Sequence, residues 1–306
     1  VFLDEYSIAG RNLDKITSQG EYVAYENTAK QDVVERLKDA DIAITNKVLI
    51  DGDAMRQLPK LKLICVAATG MNNVDLESAK ELGIEVKNAV GYSTTSVAET
   101  TLASALALAR NIVYFNEYFH DGRYSKADRA FCYDRFTFEL RGKRWGIIGM
   151  GNIGREVARL ASAFGCEVRY FSTSGVKRNE DYPAMELEEL MQWSDIVSVH
   201  SPLNEHTRGL VGAKELAMMK PSAMIINVAR GGIIDEGALA EALDNGTIAA
   251  AALDVFSVEP LRESPLYNIK DKYKLLASPH NAWSAAEAID RLIGCVADNI
   301  RNFLNR

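Results

Sequence analysis

Three side chains of the kind used in acid–base and anion-binding chemistry each follow a short apolar run: Arg230 in NVARGGIIDE (227–236), Glu259 in LDVFSVEP (253–260) and His280 in SPHNAW (278–283). A guanidinium grips a carboxylate through two parallel hydrogen bonds, which an ammonium cannot do. An imidazole exchanges a proton near neutrality, and a carboxylate beside it fixes its orientation and favours its protonated form. Singly, each has an ordinary reading as a surface arginine, a loop-end glutamate before proline, or a structural histidine after proline. As an ordered set at strand ends they read as catalytic, because of a fourth segment. Gly149-Met150-Gly151-Asn152-Ile153-Gly154 is a GxGxxG run, a weak pattern by itself, but it follows the apolar WGIIG and opens the helix-like REVARLASAF. Glycines permit a tight turn and close backbone approach, while the free N–H groups and dipole of the helix start attract a pyrophosphate. The expected site is therefore a dinucleotide site, and a dinucleotide next to a proton donor and an anion clamp is equipment for hydride transfer.

A site that prefers NAD usually carries an acidic residue about twenty positions further on, at the end of the second strand, to bind the ribose 2′-hydroxyl. Here Ser172 stands at that place, followed by Thr173, Ser174 and Gly175, with Lys177 and Arg178 beyond. Hydroxyls and cations replace the carboxylate that would repel a 2′-phosphate, which favours acceptance of NADP. Read as solvated loop charges, Lys177 and Arg178 carry no such weight. The expected cofactor is NAD or NADP.

The elements that must position these residues alternate. Strand-like runs at 1–8, 22–25, 41–46, 61–67 and 83–88 are separated by helical stretches, and a second series runs through 144–149, 167–171, 195–200, 223–228, 248–256 and 275–279. This alternation predicts parallel sheets with crossover helices, five strands and then six, in two α/β units. Between them an alanine- and leucine-rich helix is expected from Val97 to Phe119, with Ser96 and Glu99 at capping-box spacing, suited to a domain or subunit interface. The aromatic segments at 114–119 and 131–138 suit a dimer contact or ordinary packing. A second capping box, Ser284 and Glu287, precedes a C-terminal helix with Ile289, Leu292, Ile293, Val296, Ile300 and Phe303 at helical spacing. It needs a surface to cover, and the first sheet is the natural one. The expected division is 1–92 plus 284–306 for one domain and 93–283 for the other.

The segments around Arg230, Glu259 and His280, together with GMGNIG, the stretch 67–99 (AATGMNNVDLESAKELGIEVKNAVGYSTTSVAE) and VHSPLNEHTRGLVG at 199–212, resemble the D-isomer-specific 2-hydroxyacid dehydrogenases. The resemblance covers essentially the whole chain. It implies an α/β fold of two Rossmann-like, doubly wound parallel-sheet domains: a flavodoxin-like substrate domain and a dinucleotide-binding domain. It also implies a reaction, hydride transfer between NAD(P) and a small D-2-hydroxy acid or 2-keto acid. Arg230 would hold the substrate carboxylate, His280 would be the acid and base, and Glu259 would assist it. The loop Ala68-Thr69-Gly70 would present backbone N–H groups to the substrate, and Asn46, at a strand end, is expected to face the same cleft. Val97 and Thr101 would lie near the nicotinamide or phosphates; His200, Ser201, Pro202 and Thr207 along the adenosine half; Val228, Ala229 and Asp254 around the nicotinamide. Trp283, where many family members have glycine, and the PHNAW and ATG-NNVD stretches lean toward the glycerate dehydrogenase or hydroxypyruvate and glyoxylate reductase branch. A bulky indole there would restrict the substrate to a small side chain, or would simply pack under the C-terminal helix.

Composition agrees. With 47% apolar and 25% charged residues the chain reads as soluble and globular, and its 42 acidic and 35 basic residues are mixed without a basic stripe, which argues against nucleic acid. No apolar run reaches membrane-spanning length. The opening VFLDEYSIAG reads as a strand, not a targeting leader, and a valine at position 1 suggests that residues of that strand precede it. Four scattered cysteines without a CxxC pair indicate neither a metal site nor a disulfide framework and suit a reducing cytoplasm. A homodimer is expected. Two rivals share the fold: a dinucleotide-sensing corepressor-like binding protein, and a formate dehydrogenase, which would not need the Glu259–His280 pair.

Overall fold

The computed structural model describes residues 1–175 and 181–306. The chain divides into two compact units, Val1–Ser93 with Ser284–Arg306, and Thr94–Trp283.

In the first unit three parallel strands, β1 (Ile42–Thr45), β2 (Leu63–Val66) and β3 (Glu85–Asn88), lie in the order β1-β2-β3. All four residues of β2 are buried, as a central parallel strand covered on both faces requires. The segments 1–8 and 22–25, expected as strands, contribute only single parallel bridges, from Phe2 to Ala24 and to Ile44. Beside β1 the backbone pairing gives way at Asp4, whose buried carboxylate accepts the N–H groups of Asn46 at 2.8 Å and Lys47 at 2.6 Å. Burial pushes the Asp4 carboxyl up, and these bonds partly offset it. The chain then turns into the 3-10 helix Glu5–Ile8 and the ladder stops. The helix Ala286–Leu304 buries Ile289, Leu292, Ile293, Val296 and Ile300 against β2 and the helix Asp14–Thr17, so it covers this sheet. Its expected capping box does not form: Ala285 takes the N-cap position with no side-chain cap bond. A cap contributes about 1 kcal/mol, less than burying five aliphatic side chains, so the apolar face decides where the helix starts.

The second unit holds the expected six strands, β4 (Arg144–Ile148), β5 (Glu167–Phe171), β6 (Ile196–Val199), β7 (Met224–Asn227), β8 (Ala250–Leu253) and β9 (Leu275–Ala277), all parallel in the order β5-β4-β6-β7-β8-β9. The chain leaves β4 for β5 on one side and returns to β6 on the other, so the C-terminal ends of β4 and β6 form the switch point where open sheets bind ligands. The helix expected from Val97 to Phe119 is two helices, Thr94–Ala109 and Ile112–His120. Asn111 breaks it with a left-handed backbone, φ +50°, and its side chain donates to the Phe136 carbonyl at 2.9 Å. Ser96 is no cap either: it lies inside the first helix, and its hydroxyl donates to the Ala282 carbonyl at 2.6 Å.

Candidate active site

The loop after β4 is built from close backbone approaches. Gly149 has φ +96°, and a Cβ there would lie 2.9 Å from the Ser201 nitrogen at the end of β6; at Gly154 it would lie 2.3 Å from the Gly149 carbonyl oxygen. Only glycine fits either place. Gly151 is the reverse case, with nothing within 4 Å of the added carbon, and it is the N-cap of the helix Asn152–Ala163 with no side-chain cap. Two glycines thus close the loop onto the sheet while the third leaves the helix start, with the Asn152 and Ile153 amides, open to a ligand. Beside it, the His200 Nδ1 and Ser201 Oγ are buried without a partner among the described residues. An unsatisfied buried polar atom costs about 1–3 kcal/mol, so a polar ligand is the natural complement, and the loop fits a dinucleotide.

His200 Nε2 lies 2.9 Å from the Ser198 hydroxyl, which also accepts the Trp145 indole N–H at 2.9 Å. Burial drives this imidazole down from its ordinary 6.5 to about 3. The folded chain therefore refuses a proton that the unfolded chain takes up, and stability falls as pH drops from about 6.5 toward 3. In His200→Asn the urea midpoint should fall less steeply between pH 7.5 and 5 than in the parent; parallel slopes would remove His200 from the acid response.

Other residues assigned to the cofactor are held by neighbours in their own segments. Thr207 is fully buried, and its hydroxyl donates to the Pro202 carbonyl at 2.6 Å. Thr101 is fully buried and donates to the Val97 carbonyl at 2.8 Å. Ser172 Oγ lies 3.3 Å from Ser174 Oγ just past β5, next to Thr173, while Lys177 and Arg178 lie outside the described residues. Val228 is buried directly after β7.

Arg230, Glu259 and His280 follow the C-terminal ends of three adjacent strands, β7, β8 and β9. Asn227, the last residue of β7, ties the Arg230 loop: its side-chain amide donates to the Arg230 carbonyl at 2.9 Å and its oxygen accepts the Ala229 N–H at 3.0 Å. The guanidinium donates to the Ala229 carbonyl at 2.7 Å. Glu259 is held at both oxygens. One accepts the Phe256 N–H at 3.0 Å, and the other meets His280 Nδ1 at 2.6 Å. With Nδ1 committed to the carboxylate, Nε2 is the nitrogen left to exchange a proton.

His280 has a left-handed backbone, φ +54°. Asp254 fixes that turn: its carbonyl accepts the His280 N–H at 2.7 Å, and its carboxylate accepts the Ser278 hydroxyl at 2.6 Å and the Asn281 and Ala282 N–H groups at 3.0 and 2.9 Å. The Trp283 indole N–H donates to the His280 carbonyl at 2.9 Å. Sequence reasoning missed three residues here. Asn227 and Ser278 carry no motif, but Gly231 had a signal in the glycine pair after Arg230: a Cβ on it would lie 1.8 Å from the Phe256 carbonyl oxygen. In the first unit, Asn46 is buried and donates to the Ala67 carbonyl at 2.9 Å, and Thr69 donates to the Ala89 carbonyl at 3.1 Å, which ties the Ala68–Gly70 loop to the stretch after β3.

The family model of the D-isomer specific 2-hydroxyacid dehydrogenase NAD binding domain matches residues 102–282. The chain belongs to this family. The dehydrogenase is 38% identical to a glycerate dehydrogenase of Methylorubrum extorquens, over 99% of its own length and 95% of the relative's. It is 36% identical to a hydroxypyruvate reductase of Blautia hydrogenotrophica, over 99% and 96%. Among solved structures, an acyclic imino acid reductase in complex with NADPH and D-Arg superposes with a TM-score of 0.85 at 31% identity, covering 96% of this chain and 92% of that one. The dehydrogenase is thus an NAD(P)-dependent oxidoreductase acting on CH–OH donors. Among its described residues no helix is long and apolar enough to cross a membrane, and no cluster of ligating side chains could hold a metal ion.

Proposed function

We propose that the dehydrogenase interconverts a small 2-keto acid of the hydroxypyruvate, glyoxylate or pyruvate class with its D-2-hydroxy acid, using Arg230, Glu259 and His280. The observation that carries this reading is the 2.6 Å contact between His280 Nδ1 and Glu259, on loops that leave neighbouring strands next to the Arg230 loop. Arg230 pairs with the substrate carboxylate and orients the carbonyl. The nicotinamide, when bound, supplies the hydride in reduction and accepts it in oxidation. His280 gives the Nε2 proton to the carbonyl oxygen as that oxygen gains charge, so keto acid, hydride and proton together make the hydroxy acid; in the reverse direction Nε2 takes the proton back. Glu259 stabilises the cationic imidazole. The Ala68–Gly70 amides and Asn46 are assigned to the substrate carboxylate, and Asn152, Ile153, His200, Ser201 and Thr207 to the dinucleotide. The hydroxypyruvate and glyoxylate branch is favoured by the likeness to glycerate dehydrogenase and hydroxypyruvate reductase. Purified protein given NADH or NADPH should oxidise it with hydroxypyruvate, glyoxylate or pyruvate; no oxidation across that panel with either cofactor would sink the reading.

A homodimer is the proposed assembly. Supporting it are exposed apolar side chains that cluster in sequence at 112–136: Phe119, Phe131, Tyr133 and Phe136, the last three more than 70% exposed. Sedimentation at the monomer mass at micromolar concentration would exclude it. The four unpaired cysteines fit a cytoplasmic location, which cell fractionation tests.

A further inference from the structure

The catalytic histidine sits on a backbone that histidine does not prefer. A non-glycine residue at φ +54° is strained and persists only where its surroundings over-determine it. Most of the restraints at His280 act on N–H groups: Asp254 accepts those of His280, Asn281 and Ala282. The Asn281 N–H shares its peptide plane with the His280 carbonyl, so Asp254 holds one edge of the plane that follows the imidazole-bearing carbon, and the carbonyl edge needs a partner of its own. The Trp283 indole N–H, three residues on, donates to that carbonyl at 2.9 Å. Its ring packs against the buried cluster that includes Val97, Ala98 and Ala282, so the donor is itself held still.

We propose that Trp283 is a positioning residue for His280: its indole N–H locks the left-handed turn and thereby keeps the imidazole against Glu259. This rests on the reading of His280 as the proton donor. A 2.6 Å contact is sensitive to small displacements, and a carbonyl released to water leaves the peptide after His280 held at its N–H edge alone, so ψ of His280 loosens and the turn that places its Cα loosens with it. The imidazole then swings on its Cα, and the Nδ1 to Glu259 contact is the first to lengthen. This differs from a role for the indole as a wall of the substrate pocket, which would act on KM according to side-chain size and leave the imidazole alone.

Two variants test it. Trp283→Phe removes the donor and some volume; benzothienylalanine incorporated at position 283 removes the donor alone and keeps the shape, so it decides the matter if the first folds poorly. With equal melting temperature, kcat should drop on the order of tenfold for every keto acid turned over, while KM and the NADH dissociation constant stay within about twofold. The downfield proton resonance of the His280–Glu259 hydrogen bond, assigned by its absence in His280→Ala, should move upfield or broaden away. Unchanged kcat and an unchanged resonance would overturn the proposal, and so would a rise in KM confined to bulkier substrates with kcat intact. If His280→Ala instead turned over normally, the proton-donor reading would fail, whereas the resonance would still report whether Trp283 holds the imidazole.

Discussion

His280→Ala will lower kcat by roughly 10²- to 10⁴-fold and leave the NADH dissociation constant close to that of the parent. The size follows from what is lost. The carbonyl oxygen gains charge as hydride arrives, and without Nε2 the proton must come from water, which is neither positioned nor of matched acidity. The specificity follows from where the residue stands: His280 is beyond β9, whereas the glycine loop proposed to receive the pyrophosphate follows β4, with β6, β7 and β8 between them in the sheet. Glu259→Gln should fall in the same direction by less, because the amide keeps one hydrogen bond to the ring but no longer stabilises its cationic form. Arg230→Ala should add a large rise in KM, since the clamp acts on substrate before and during reaction. Single-turnover rates for kcat and fluorescence titration for NADH separate these effects. Near-normal turnover in His280→Ala would hand proton transfer to another group.

What the sequence disclosed and what it hid have physical causes. The six strands of the second sheet were legible because buried parallel strands must be apolar on both faces, and runs such as WGIIG and AMIINV are apolar without alternation. The first run of the first unit also opens on apolar residues, but Asp4 spends its carboxylate on the amides of Asn46 and Lys47 where a ladder along β1 would continue, and that pairing spans some forty positions of chain. The helix break at Asn111 was hidden for a related reason: alanine and leucine propensity predicts continuation, and one left-handed asparagine has no periodic signature. In the site, the glycine loop was legible because its logic is local, a turn followed at once by a helix start. The use of Asp254 was not, since its partners Ser278, Asn281 and Ala282 come only after the next strand of the sheet, more than twenty positions on.

Gly231→Ala is where such hidden contacts should have their largest effect on the fold. The added carbon would meet the Phe256 carbonyl oxygen at 1.8 Å and the Ser257 nitrogen at 2.5 Å, all backbone, so no rotamer change relieves the clash. One loop must move, and either movement is harmful: on one side the chain carries Arg230, on the other it leads through the Phe256 N–H, which anchors a Glu259 oxygen at 3.0 Å. We expect a loss of about 3 kcal/mol of stability and, in the protein that still folds, a kcat/KM lower by on the order of 10²-fold. Gly294→Ala is the matched control. It lies inside the helix Ala286–Leu304 with nothing within 4 Å of the added carbon, and there alanine should stabilise by up to about 1 kcal/mol. Urea denaturation of both variants reads the first effect and steady-state kinetics the second. If Gly231→Ala denatured at the parent's midpoint with parent kinetics, the loops that carry Arg230 and Glu259 would not be packed backbone to backbone.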